Sequence, residues 1–171
     1  MASSFPGVMS HAGILVPALE SKRARYQKIY NEHRHRIYSL AFWMTDHELV
    51  AEQLAASTFA RAFSASEYPR AEHIDQAFLA EIRGVVAVQG LTLSTVVNPE
   101  APALGGNIKR VHLERAVVQL PATEKLIFLL HDVEGYEHGR IGSLLEISEH
   151  DSRLGLHLAR LRIRDLLTQV S

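Results

Sequence analysis

The chain has no cysteine, a single tryptophan and only six prolines among its 171 residues. Without cysteine there is no disulfide framework, no thiol nucleophile and no thiolate-ligated zinc, a composition that suits a reducing compartment. No apolar run approaches the roughly 20 residues a membrane-spanning helix needs. The N-terminus lacks the basic start and unbroken apolar stretch of a signal peptide, so the expected location is the cytoplasm. Enzyme signatures are missing too: there is no GxSxG, no phosphate-binding glycine loop before a lysine, and Gly105-Gly106 follows no strand. Glu134 and Glu137 flank a glycine turn and read as helix-end solvent groups. Ten histidines invite a metal, but His33 and His35 are two apart and point to different sides of a helix, and no HExxH occurs. The expectation is a protein that is not an enzyme and takes no cofactor or metal.

Neither sign of charge dominates. The formal net charge is −1, which excludes the uniformly basic body of a non-specific nucleic-acid binder. Its distribution is uneven, however. Arg153 to Arg164 holds four arginines and no acid, and Lys22 to Arg36 holds six basic residues against Glu32 alone.

Helical periodicity runs through most of the chain. Residues 1–19 contain Pro6, Gly7, Gly13 and Pro17 without a sustained period and read as a loosely ordered arm. From Lys22 to Met44, apolar residues at three- and four-residue steps predict a helix burying Tyr26, Ile29, Tyr30, Ile37, Leu40, Ala41 and Met44. Asp46 offers an N-cap to a second helix reaching about Ser64. A third spans Ile74 to Gln89 with Phe78, Ile82, Val85 and Val86 inward, although the β-branched stretch 84–97 also reads as a strand. NPEAPALGGN, residues 98–107, has the composition of a linker. Beyond it come a helix over 109–119, one opened by Pro121 that buries Leu126, Ile127, Leu129, Leu130 and Val133 and stops at Gly135, and a short one over Glu137–Leu145. After a corner at Glu146–Ser148, a last helix runs from Glu149 to about Leu167, with Ser148 and Asp151 as a partial capping box and Leu154, Leu158 and Leu161 as its core edge. The expected class is all-α, with two small helical modules joined by a flexible linker and a helix-turn-helix at the C-terminal end.

IYNEHRHRIYSLAFWMTDHELVAEQLAASTFARAF, residues 29–63, resembles the first module of the extracytoplasmic-function group of sigma-70-family RNA polymerase sigma factors, through Ala51, Glu52, Thr58, Phe59, Arg61 and Ala62. LERAVVQLPATEKLIFLLHDVEGYEHGRIGSLLEIS is similar to the family's −35-binding module, with Leu120-Pro121, Glu134-Gly135-Tyr136 and Ile141 in place, and Ala159-Arg160 on the closing helix. The resemblance implies an arm over 1–21, a region 2-like domain for core polymerase and the −10 element over 22–95, a linker over 96–108 and a region 4-like domain over 109–171. It implies core RNA polymerase and promoter DNA as partners, leaves room for an anti-sigma factor, and implies no membrane.

On that reading, Glu52, Gln53, Thr58 and Arg61 form the polymerase-facing surface. His150, Ser152 and Arg153 lie near bases, Arg140 and His157 near phosphate, and Arg160 continues the stripe. Some positions differ from the family pattern. Gln53 stands for an aspartate and Ala56 for a glutamine, and no basic residue falls between Arg83 and Lys109. Glu146 occupies a corner where glycine is usual, and Gly155 sits inside the last helix. An alternative stays open, a divergent sigma-like module that binds polymerase or a regulator without melting promoters.

Overall fold

The computed structural model describes residues 12–88 and 109–169, with side chains from residue 21 onward. Among these residues all regular secondary structure is helical. The order is α1 (Ala12–Thr45), α2 (Glu48–Ala65), α3 (Ala71–Val85), α4 (Arg110–Val118), α5 (Ala122–Phe128), a π-helical turn (Leu129–Val133), α6 (His138–Leu145) and α7 (Glu149–Thr168). The expected linker over 96–108 lies outside the described residues, as do residues 1–11 and the end of the expected third helix. No described helix is long and apolar enough to cross a membrane.

The first helix starts ten residues earlier than its periodicity indicates, at Ala12, and takes in part of the stretch read as an arm. Helix growth is cooperative: once a long segment is nucleated each further residue adds a hydrogen bond, and Pro17 deletes only one. α1 and α2 are joined by two residues. Asp46 takes a left-handed conformation, φ 52°, and its amide bonds to the Phe42 carbonyl at 2.7 Å. It therefore terminates α1, and the cap of α2 falls to His47, whose ring accepts the Val50 amide. α3 stops at Val85 rather than Gln89. Gly84 and two β-branched valines are poor helix formers, Val86 is extended, and Val85 turns outward.

α1 and α2 pack antiparallel along an aromatic seam. Tyr26 stacks on Phe63 at 4.5 Å, and Tyr30 meets Phe59 edge-on at 4.9 Å. The Tyr26 hydroxyl lies within hydrogen-bond reach of the Phe63 and Ser66 carbonyls, at 3.1 and 3.2 Å. Each such ring pair contributes about 0.5–1.5 kcal/mol beyond the area it buries. Ile37, Leu40, Phe78 and Ile82 complete the core beneath the seam, while Tyr30 stays half open to solvent.

In the C-terminal half, α5, α6 and α7 close over Leu126, Ile127, Leu129 and Ile141. Val133, expected inside, is 58 % exposed, because the π turn adds a residue and rotates it outward. Gly135 at φ 72° reverses the chain, as its position predicts. On α7 the buried stripe is Ser152, Gly155, Leu156, Ala159, Ile163 and Leu167, whereas Leu154, Leu158 and Leu161 are only half-buried. The true stripe begins with a serine and a glycine, so hydropathy alone selects the neighbouring one.

The two groups of helices touch. α3 packs on α6, α1 on α4 and α5, and the buried apolar residues of both halves form one cluster. At the far end of α1, Phe42, Trp43 and Asp46 line a groove against Arg110, Arg115 and Val118 of α4.

Candidate nucleic-acid interface

The corner between α6 and α7 is fixed by backbone chemistry. Glu146 ends α6 in a left-handed conformation, φ 60°, and the Ile147 amide returns to the Gly142 carbonyl at 3.0 Å. A Cβ on Gly142 would sit 2.8 Å from the Ile147 carbonyl oxygen, so the two helices approach this closely only because residue 142 has no side chain. A non-glycine at the Glu146 conformation costs on the order of 1 kcal/mol. The next helix then starts cleanly: Ser148 Oγ accepts the Asp151 amide at 3.0 Å and donates to the Asp151 carboxylate at 2.7 Å.

The candidate DNA residues separate into three groups on this frame. His150, Arg153 and His157 are exposed on the first turns of α7, where a recognition helix meets base edges. Arg153 pairs with Glu149 one turn earlier, an exposed contact of the kind that is worth little and yields to a stronger partner. Ser152 is not on this surface. It is fully buried, with Oγ 2.9 Å from His138 Nδ1, because i+3 and i+4 steps from it run straight into the core stripe.

The remaining two arginines hold carboxylates of the same chain. Arg160 binds Asp132 in a bidentate fork, Nε at 3.0 Å and Nη2 at 2.6 Å. Burial would raise the Asp132 carboxyl, but hydrogen bonds from Arg160 and His131 outweigh it and hold the group below its ordinary range. Arg140 lies 3.8 Å over the Tyr136 ring and reaches Asp75 on α3 at 2.6 Å. Deeper still, Glu124 has no exposed surface and faces Arg162 at 3.0 Å; burial pushes its carboxyl up and the arginine opposes that shift.

Of the candidate polymerase-facing residues on α2, Glu52 and Gln53 are exposed. Arg61 is exposed and bridges to Glu81 of α3. Thr58 is removed from the surface: it is fully buried, and its hydroxyl bonds to the Leu54 carbonyl at 2.7 Å. A shallow groove beside Glu52 is lined by Tyr30, His35, Tyr38 and Phe59 from the aromatic seam.

Sequence reasoning missed Asp75, Tyr136, Asp132 and Glu124. Asp75 left a faint signal, an acid set directly among Ile74, Ala77 and Phe78 on the apolar side of α3. Glu124 left none, since an acid in a helix's first turn is expected on dipole grounds.

No curated protein matches the chain. Residues 110–163, running from the start of α4 through the capped corner and most of α7, match the family model for Sigma-70, region 4.

Proposed function

We propose that the protein is an RNA polymerase sigma factor of the extracytoplasmic-function type, working in the cytoplasm. In this reading the C-terminal helices bind the −35 element of promoter DNA in the major groove, and the N-terminal helices dock on core polymerase. The region 4 match over residues 110–163 carries the reading, because it falls on the helix-turn-helix whose first α7 turns expose His150, Arg153 and His157. Glu52, Gln53 and Arg61 serve as the polymerase-facing set, and Arg140 and Arg160 add phosphate contacts once released from their carboxylates. Arg153, placed for a bidentate base contact, contributes roughly 1–3 kcal/mol of base discrimination.

A second reading draws on a specific observation. Arg140, Arg153 and Arg160 each hold a carboxylate of this same chain, which suits a sigma-like module that binds polymerase or a regulator without directing promoters. Pull-down with core polymerase followed by run-off transcription on genomic fragments separates the two. A sigma factor yields discrete transcripts that Arg153→Ala weakens, with DNA affinity falling steeply as salt rises. Polymerase capture with no transcripts favours the second reading, and no capture sinks the first.

A further inference from the structure

Asp75 is a buried point at which the two helical groups are tied by charge. The residue is 4 % exposed on α3, and both of its oxygens are engaged. Oδ1 meets Arg36 Nη2 of α1 at 2.7 Å, while Oδ2 takes Arg140 Nη2 of α6 at 2.6 Å and the Tyr136 hydroxyl at 2.9 Å. Arg36 Nη1 also donates to the Tyr136 oxygen at 2.6 Å, so the phenol is donor to the acid and acceptor from the arginine. Burial and the adjacent carboxylate push that phenol up to about 12, which keeps its proton in place for the donation.

Two cations from opposite groups thus converge on one buried anion. Glu134 stands close enough to feel both Arg36 and Asp75, but burial pushes its carboxyl up, which makes it the poorer counter-charge. Beside this knot α3 and α6 do not seal. They leave a cleft lined by Glu72, Arg83, Ser143 and Glu146, and a long contact of 3.5 Å from Arg83 to the Leu145 carbonyl crosses it. Leu79 and Leu144 also line this cleft, so on this side the ionic contacts supplement an apolar surface that does not close.

We propose that Asp75 is the pin of an autoinhibitory contact: it holds the two helical groups closed and withholds Arg140 from nucleic-acid phosphate. Neutralising the carboxylate leaves two guanidinium groups facing each other across Tyr136, which turns attraction into repulsion at the same spot. Opening then frees Arg140, and DNA drives opening by binding the open form preferentially. The masking part rests on the reading of the C-terminal helices as a DNA binder; the closure itself does not.

The absence of cysteine makes the test direct. Spin labels at Ala60→Cys and Gln169→Cys, both exposed in the parent chain, report the separation of the groups in the full-length protein. The parent is expected to give one narrow distance, and Asp75→Asn a broader and longer distribution. A folded Asp75→Asn that keeps the narrow distance overturns the proposal. If that variant fails to fold, Arg140→Gln decides in the same way on the distances, since it removes the C-terminal group's cation from Asp75 and leaves Arg36 in place.

Fluorescence anisotropy with a labelled duplex of mixed sequence reads the masking. Asp75→Asn is expected to bind on the order of tenfold tighter, as follows when a binding-competent form rises from a minor to the main population. Adding Arg140→Gln should remove that gain. Opening without tighter binding, while the parent does bind, overturns the masking. Opening in a protein that binds no duplex in any variant sinks the DNA-binding reading and leaves the pin standing on the distances.

Discussion

Between α1 and α2 the N-terminal helices meet through stacked rings, whereas the C-terminal helices brace their apolar core with ion pairs. Tyr26, Tyr30, Phe59 and Phe63 form the first seam. Glu124 with Arg162, and Asp132 with Arg160 and His131, brace the second. Truncating a packed ring removes attraction and leaves a cavity, but strands no polar group. A buried ion pair is unforgiving, because removing one partner strands the other away from water. The half that matches a nucleic-acid-binding family thus has many arginines already committed to positions, and the half expected to meet polymerase keeps its charged α2 residues on the outside.

The sharpest way to break this contrast is one deletion in each half. Arg162→Ala and Phe59→Ala should each destabilise by about 3–5 kcal/mol, the first by stranding Glu124 and the second by opening a cavity. They part in rescue. Replacing both Glu124 and Arg162 by leucine should restore most of the stability in chemical denaturation, and a double variant as unstable as Arg162→Ala would refute the charge-based account. Next comes the corner. Gly142→Ala should cost about 1–3 kcal/mol by forcing the Ile147 carbonyl away, while Glu146→Gly should gain on the order of 1 kcal/mol by relieving its left-handed backbone. Equal melting temperatures for both variants would show that the corner is not strained as described.

The smallest effect is a pH asymmetry. Burial, and then the neighbouring His131, depress His138 below its ordinary 6.5. The folded state therefore binds that proton less readily than the unfolded chain does. Its stabilising contribution is present above the unfolded value and declines as pH falls through that value toward the lower folded one. Burial lowers His33 on α1 in the same direction, so in a His33→Gln background hydrogen exchange should show the C-terminal helices losing protection before the N-terminal ones on mild acidification. His138→Gln should flatten that difference, and simultaneous loss in both halves would remove the asymmetry.

Local chemistry was legible in the chain, and long-range pairing was not. Ser148 announces the start of α7 through a hydroxyl and an acid three residues apart; its Oγ accepts the Asp151 amide, and the Asp151 carboxylate takes the Ser148 hydroxyl in place of the backbone amide of a full capping box. Gly135 and Glu146 mark helix ends because terminators act on their own backbone. Ser152 reads as a surface residue beside Arg153, but rotation of α7 into the core is set by partners elsewhere in the fold, His138 among them. Asp75 meets its partners 61 and 65 residues downstream, a separation no periodicity encodes. The same distance hides the fate of Arg140, which looks available in sequence and is already held. The start of α1 escaped for a different reason, since proline and glycine lower local propensity while cooperative growth from a strong segment overrides them.

The single tryptophan has its own consequence. Trp43 is half-buried at the end of α1, where the groove against α4 begins, so its indole looks across the boundary between the two halves. With no other indole to contribute, ultraviolet emission from the unlabelled protein reads that one boundary. A red shift there on adding DNA or polymerase would time the parting of the halves within a stopped-flow trace.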